Sequence, residues 1–205
     1  MADYKLYYFP VRGRAELTRI MCVAAGIKFD DIRIPGSEFP EKKKTFPNGQ
    51  LPMLEYKGQY LTQSLAIARF IARTCGLAGK SDWDQAQVDQ IVYTANDLTE
   101  QFYSYFLEKD SDKKEEKLRK LLNEYVPDKL ATFEEWLKQN KGGDGFFVGS
   151  TLTMADVAVY EGLTSVLQKD TNLLDKFPKL LAHRQRIAGY PRIKEYLAKR
   201  ECTEN

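Results

Sequence analysis

Tyr8 is the side chain that type and position best equip for chemistry. It closes a short Tyr-rich run, Lys5 to Phe9, which stops at Pro10 and reads as a strand; active-site residues of open α/β sheets gather at strand ends. A phenol there, facing the start of the next helix, can donate a hydrogen bond to an anion such as a thiolate, while core packing is the plainer role for a strand tyrosine. Arg14, early in the helical pattern that follows, adds positive potential nearby. Gln63-Ser64 opens a later helix, where backbone N–H groups and the Ser hydroxyl can hold a carboxylate; an ordinary helix cap explains Ser64 equally well. Lys43 can bind a second carboxylate or stand solvated between Lys42 and Lys44.

Other reactive residue types are poorly grouped. Cys22, Cys75 and Cys202 form no C-x-x-C pair and no metal-ligand cluster, and read as buried or surface thiols. His183 lies in a Lys/Arg-rich amphipathic stretch with no other ligand near it, so no metal site is expected and it reads as a solvated helix residue. Asp156 follows Thr153 by three residues, with Leu152 and Val157 at the staple positions, which marks a structural helix cap rather than a catalytic acid. The run Lys113 to Lys117 reads as a solvated face.

These residues need elements to hold them. Gly13 opens a helical pattern through Leu17, Ile20, Met21 and Ala24 that Gly26 closes, and Phe29 to Ile34 reads as a second strand. The opening is thus a β-α-β unit with parallel strands. Pro35, Gly36 and Pro40 mark irregular chain. Met53 to Tyr56 and Gln59 to Leu61 are strands flanking Lys57-Gly58, a hairpin signal, and a helix with Ile67, Phe70 and Ile71 inward follows. The resulting expectation is an α/β thioredoxin-like N-terminal domain over 1–76, a linker over 77–82 and an all-α C-terminal domain over 83–205. In the latter, Val88, Ile91, Val92, Ala95, Leu98 and Phe102 form one core stripe, and Pro127 should kink or interrupt the helix carrying Leu118 to Leu137.

Composition narrows the function classes. The 205 residues are 43% hydrophobic, enough for a sizeable core, and 31 basic against 29 acidic side chains leave a formal charge of +2, too little for a strong nucleic-acid field. The longest apolar stretch, Met21 to Ile27, falls far short of the roughly 18 residues of a membrane span. The N-terminus has neither the basic nor the apolar region of a signal peptide, so a soluble cytoplasmic protein without membrane or nucleic-acid partners is expected.

Several segments together resemble the sigma class of cytosolic glutathione transferases: Tyr4-Lys5-Leu6-Tyr7-Tyr8-Phe9, Arg12-Gly13-Arg14-Ala15-Glu16, Gln50-Leu51-Pro52, Gln63-Ser64-Leu65-Ala66-Ile67-Ala68-Arg69 and Gly145-Phe146-Phe147-Val148-Gly149. Each piece is common by itself; their order and spacing cover nearly the whole chain. The resemblance implies glutathione transferase architecture and glutathione as co-substrate. Tyr8, supported by Arg14, is implied to stabilise the thiolate, with Phe39, Lys43, Gln50, Leu51, Pro52, Gln63 and Ser64 around the tripeptide. It further implies a cis Leu51-Pro52 peptide, the glycyl carboxylate at Lys43, the γ-glutamyl carboxylate at Gln63-Ser64, and a homodimer in which Asp97 reaches the partner's γ-glutamyl amine. Phe39 stands where Trp is common, so ring packing remains and an indole donor is missing. The helical domain is implied to carry the site for hydrophobic electrophiles and much of the dimer interface. Phe9, Arg12, Gly13, Tyr103, Tyr105 and Ala158 are the candidates for that second site, with Arg12 at its mouth.

Two other functions share this resemblance. Prostaglandin D synthesis is performed by some sigma-class members, but Ser104, Ala158 and Gly162 occupy approximate positions where those enzymes carry Trp, Tyr and Cys, and Tyr93 and Asn96 replace acidic residues beside Asp97. A lens-crystallin role is non-catalytic; the Met- and Arg-rich composition of those proteins is absent. Thiol-disulfide exchange is disfavoured because no Cys follows the first strand.

Overall fold

The computed structural model describes residues 3–200 and Thr203; Cys202 lies outside the described residues. The contacts divide the chain into two compact units, Met1–Leu77 with Tyr190–Asn205, and Ala78–Gly189.

The first unit is built on strands β1 (Tyr4–Tyr8), β2 (Phe29–Arg33), β3 (Met53–Tyr56) and β4 (Gln59–Thr62), ordered β2-β1-β3-β4. β1 and β2 run parallel, with Tyr8 opposite Arg33, as the intervening helix α1 (Glu16–Ala25) requires. Gly26 ends α1 in the left-handed conformation (φ 71°), where its N–H reaches the Cys22 and Val23 carbonyls. β3 pairs antiparallel with both β1 and β4. The hairpin turns at Lys57 (φ 49°) and Gly58 (φ 77°), the paired left-handed residues that suit the strand twist. The segment expected to be irregular contains a short helix, α2 (Phe39–Lys42), because Pro40 sits in its first turn, where a proline needs no N–H. Helix α3 (Ser64–Thr74) follows β4 and packs on α1, burying Ile20, Met21, Ile67 and Ile71. Helix α9 (Pro191–Lys199) also packs on α1.

The second unit contains α4 (Asp82–Phe106), α5 (Ser111–Lys120), α6 (Val126–Gln139), α7 (Met154–Leu167) and α8 (Pro178–Ala188). Ser81 and Asp84 form a capping box that starts α4, each accepting the other's backbone N–H at 3.1 Å. Pro127 lies in the first turn of α6, and a single π turn, Leu121–Tyr125, joins α5 to α6. A proline removes one helical donor and crowds the preceding turn, and the wider turn accommodates it without breaking the chain's helical course. α7 packs along α4, with a Cβ built at Gly162 falling 3.2 Å from the Ala95 carbonyl oxygen.

The start of α7 holds the main correction to the sequence reading. Asp156 caps the helix as expected: its Oδ2 accepts the Thr153 N–H and hydroxyl at 2.8 Å each. Its Oδ1 accepts the Phe147 N–H at 2.8 Å and lies 2.9 Å from Nε2 of His183. His183 is therefore not solvated; it is 1% exposed, with its ring edge-on to Phe147. The basic residues around it had pointed to a wet face, yet the imidazole follows the apolar stripe of Leu180 and Ile187 inward.

Candidate active site

Tyr8 ends β1, and a 3₁₀ turn, Gly13–Ala15, leads into α1 beside it. The Arg14 N–H donates to the Tyr8 hydroxyl oxygen at 3.1 Å, which locates that oxygen and polarises its O–H as a donor. Gly13 has φ +46°, and a Cβ built there would lie 2.6 Å from both the Tyr8 hydroxyl oxygen and Cε1. Such distances are far inside van der Waals contact, so the turn meets the phenol only because residue 13 has no side chain. The Arg14 side chain is exposed.

Arg19, one turn into α1, is fully buried with its guanidinium carbon 5.8 Å from the Tyr8 ring centroid. Glu16 Oε2 at 3.0 Å and the exposed Asp31 at 3.1 Å balance this charge, and the Val11 and Arg12 carbonyls accept two further bonds. Glu16 Oε1 accepts from the Tyr196 hydroxyl at 2.9 Å and from Arg200 at 2.8 Å, tying α9 to α1. Burial, then the Glu16 carboxylate, push the Tyr196 phenol well above the ordinary range. The sequence reading missed this network. Its signal was a cation on the inward face of an apolar helix, three residues after an acid.

Tyr7 faces the other side of the sheet, where its hydroxyl donates to Glu55 at 2.8 Å. Burial and that carboxylate push its pKa up to about 12. Phe9 joins Tyr8 to Phe39 through edge-on ring contacts, with centroids 5.4 and 5.1 Å apart, and Phe39 stacks on Phe46 at 6.3 Å. The Leu51-Pro52 peptide is cis, Pro52 is buried, and Leu51 packs against Ile34, Phe46 and Met53. Gln50 is exposed and its amide oxygen takes the Asn48 side-chain amide at 3.2 Å. The stem of Lys43 runs over Gly49, and its residue is exposed.

Ser64 is not the cap of α3. Gln63 occupies that position with φ 73°, because the chain must turn sharply from β4 into the helix, and Ser64 is the first helical residue. No side chain caps the first-turn amides of α3, so they remain directed at whatever lies before the helix.

Arg12, expected at a pocket mouth, is 4% exposed, and its Nε and Nη2 donate to the Thr203 carbonyl at 3.2 and 3.0 Å. It lines a cavity of about 380 Å³ with Glu16, Arg33, Tyr196 and Arg200. In the second unit Asp97 is exposed on α4, Tyr103 is half-buried, and Ala158 is buried on α7. Tyr105 is buried with the ammonium groups of Lys114 and Lys169 at 5.5 and 5.7 Å from its ring centroid. Among the described residues no group of three or more His, Cys, Asp or Glu is placed to hold a metal ion, and no helix is long and apolar enough to cross a membrane.

A four-stranded sheet with a phenol at the end of β1, a cis-proline before β3 and an α3 without a side-chain cap, together with a helical unit, defines the fold of a thioredoxin-like domain joined to an all-α one. The sequence matches the family description "Glutathione S-transferase, N-terminal domain" over residues 3–73 and "Glutathione S-transferase, C-terminal domain" over residues 96–200. It is 40% identical over 203 residues to hematopoietic prostaglandin D synthase of Gallus gallus, covering 99% of each chain. It is 37% identical over 206 residues to a glutathione S-transferase of Anopheles gambiae, covering 100% of each. The solved structure of the Fasciola hepatica sigma class enzyme superposes with a TM-score of 0.91 at 31% identity, over 100% of this chain and 99% of that one. The chain belongs to the glutathione S-transferase family, with sigma-class proteins among its structural neighbours.

Proposed function

We propose that this enzyme binds glutathione in its first unit, ionises the thiol against the Tyr8 hydroxyl and conjugates the sulfur to hydrophobic electrophiles. The observation that carries this reading is the Tyr8 oxygen held by the Arg14 N–H at 3.1 Å. Lowering a thiol pKa from about 8.5 to about 6.5 requires roughly 2.7 kcal/mol of preference for the thiolate, and raises its fraction at pH 7 from about 3% to about 75%. One charge-assisted hydrogen bond supplies much of that. The thiolate lone pair then forms the C–S bond while the leaving group departs with its electrons; with an unsaturated carbonyl, the α-carbon instead takes up a proton.

In this reading Lys43 and the α3 amides at Gln63-Ser64 hold the two carboxylates, Leu51 pairs its backbone with the tripeptide, and Gln50 and Phe39 flank it. Arg14 contributes positive potential. Phe9 and Gly13 of the first unit and Tyr103, Tyr105 and Ala158 of the second remain the candidates for the electrophile, while Arg12 is engaged by the Thr203 carbonyl instead. The protein is a cytoplasmic homodimer whose Asp97 completes the partner's glutathione site. With hydrogen bonds stabilising the thiolate, the chemistry calls for no metal.

The chicken relative's name makes prostaglandin D synthesis the second reading. Against it, Gly162 packs close on α4, where a built Cβ falls 3.2 Å from the Ala95 carbonyl oxygen, and the small Ala158 is buried. Calorimetric titration with glutathione tests the first reading: binding below millimolar concentration is expected, and none at millimolar glutathione would overturn it in favour of a structural role. A panel of aryl halides, unsaturated carbonyls, hydroperoxides and prostaglandin H2 then separates the two activities.

A further inference from the structure

A groove of about 500 Å³ lies wholly within the second unit, between the first turns of α4 and the end of α6, with Phe147 and Val148 behind it. Both of the chain's two tryptophans, Trp83 and Trp136, line it, and Trp83 is 73% exposed, the most exposed of the large hydrophobic side chains described. Exposed indoles usually mark a surface that something covers. The remaining lining is amide-rich: Gln87, Gln90 and Gln139 make no side-chain hydrogen bond among the described residues. No Lys or Arg lines the groove, although the chain has 31.

Asp84 is its one charged lining residue. Asp84 Oδ2 accepts the Lys80 and Ser81 N–H groups at 3.1 Å each, and those bonds hold the carboxyl below its usual range. The Ser81 side chain also bonds this carboxylate. The carboxylate stands in the first turn of α4, whose positive end offsets its charge, so the groove has little field for an organic cation. An ionised oxygen and three amide oxygens require a ligand that donates hydrogen bonds, while the amide and indole N–H groups require one that accepts them. A proline-rich peptide presents acceptors almost alone; hydroxyl groups do both. From Trp83 to Ile91 the α4 side of the groove spans about 12 Å, room for more than one sugar ring.

We propose that this groove binds a neutral saccharide, stacking the apolar face of a pyranose on an indole and exchanging hydrogen bonds between its hydroxyls and the Gln amides, with the Asp84 carboxylate as a further acceptor. Because the chain has no other tryptophan, tryptophan emission, excited where its 12 tyrosines do not absorb, reports on this site alone. Titration with maltotriose or cellotriose should change that emission saturably, with a Kd of about 1 mM as suits an open groove. Trp83→Ala, read through Trp136, should weaken binding at least tenfold, and Gln87→Ala several-fold without touching a fluorophore, while both variants conjugate glutathione at the unaltered rate. The proposal fails if neither trisaccharide gives saturation by about 20 mM, if both variants bind unchanged, or if tetramethylammonium or a ten-residue polyproline peptide produces the saturable change instead.

Discussion

At the scale of single residues, the reactivity assigned to this protein rests on one hydroxyl. Tyr8→Phe keeps the ring and removes that donor, so glutathione affinity should hold while the bound thiol pKa rises. A charge-assisted bond of about 1.5–3 kcal/mol corresponds to a fall of about 10- to 150-fold in rate near neutral pH with a chemistry-limited electrophile. Bound-thiolate absorbance against pH reads the effect directly, and Tyr7→Phe, whose hydroxyl serves Glu55 on the other face, should leave that titration unchanged. Gly13→Ala introduces a methyl 2.6 Å from the Tyr8 oxygen at a left-handed φ of +46°, so it should displace the phenol and lower the rate toward that of Tyr8→Phe. If it acts through that oxygen, adding it to Tyr8→Phe costs little more than Tyr8→Phe alone; full additivity would show an independent effect. Tyr8 was legible in the sequence because a strand end is a local feature. The steric role of Gly13 was not, since glycine there read as the start of a helical pattern and, by resemblance, as part of the second site, with nothing to show how close the phenol comes.

At the scale of elements, α7 depends on its first turn. Asp156 is fully buried and accepts bonds from Thr153 and Phe147 beside His183, so Asp156→Ala strands several donors in the core. We expect a loss of about 3 kcal/mol of stability, read as a lower urea midpoint at unchanged slope. Thr153→Ala, which leaves the carboxylate in place, should cost about 1 kcal/mol. A Thr153→Ala loss equal to that of Asp156→Ala would show that the cap alone, without the Phe147 and His183 contacts, sets the cost. The cap was readable because donor and acceptor are three residues apart. The His183 partner was not, because 27 residues separate it from Asp156 and only the packing of α8 on α7 brings them together.

At the scale of the whole molecule, stability should decline in alkali. Burial pushes the Cys22 thiol up from 9.0 to about 12, and the Tyr4 and Tyr7 phenols from 10.0 to about 12. Each group keeps its proton in the folded chain at pH values where the unfolded chain releases it, so unfolding sheds protons and the folded state loses stability as pH climbs from about 9 toward 12. The urea midpoint should fall across that window, and Cys22→Ala should flatten its lower part; a flat profile in the parent protein would contradict this. Assembly belongs to the same scale: sedimentation should give a dimer for the parent and for Asp97→Ala alike, with glutathione affinity reduced only in the variant. A monomeric parent would remove the cross-subunit role of Asp97. The amino-acid sequence by itself determined the strands, the Lys57-Gly58 hairpin, the Gly26 stop and the Thr153-Asp156 cap, because each depends on backbone preference and side-chain reach over a few residues. Only the tertiary structure decided that Arg19 lies under Tyr8 between Glu16 and Asp31, that Tyr196 and Arg200 close on Glu16, and that His183 is dry. Burying a charge or an imidazole is costly unless a partner reaches it, and the arrival of a partner from 180 residues away leaves no local mark on the chain.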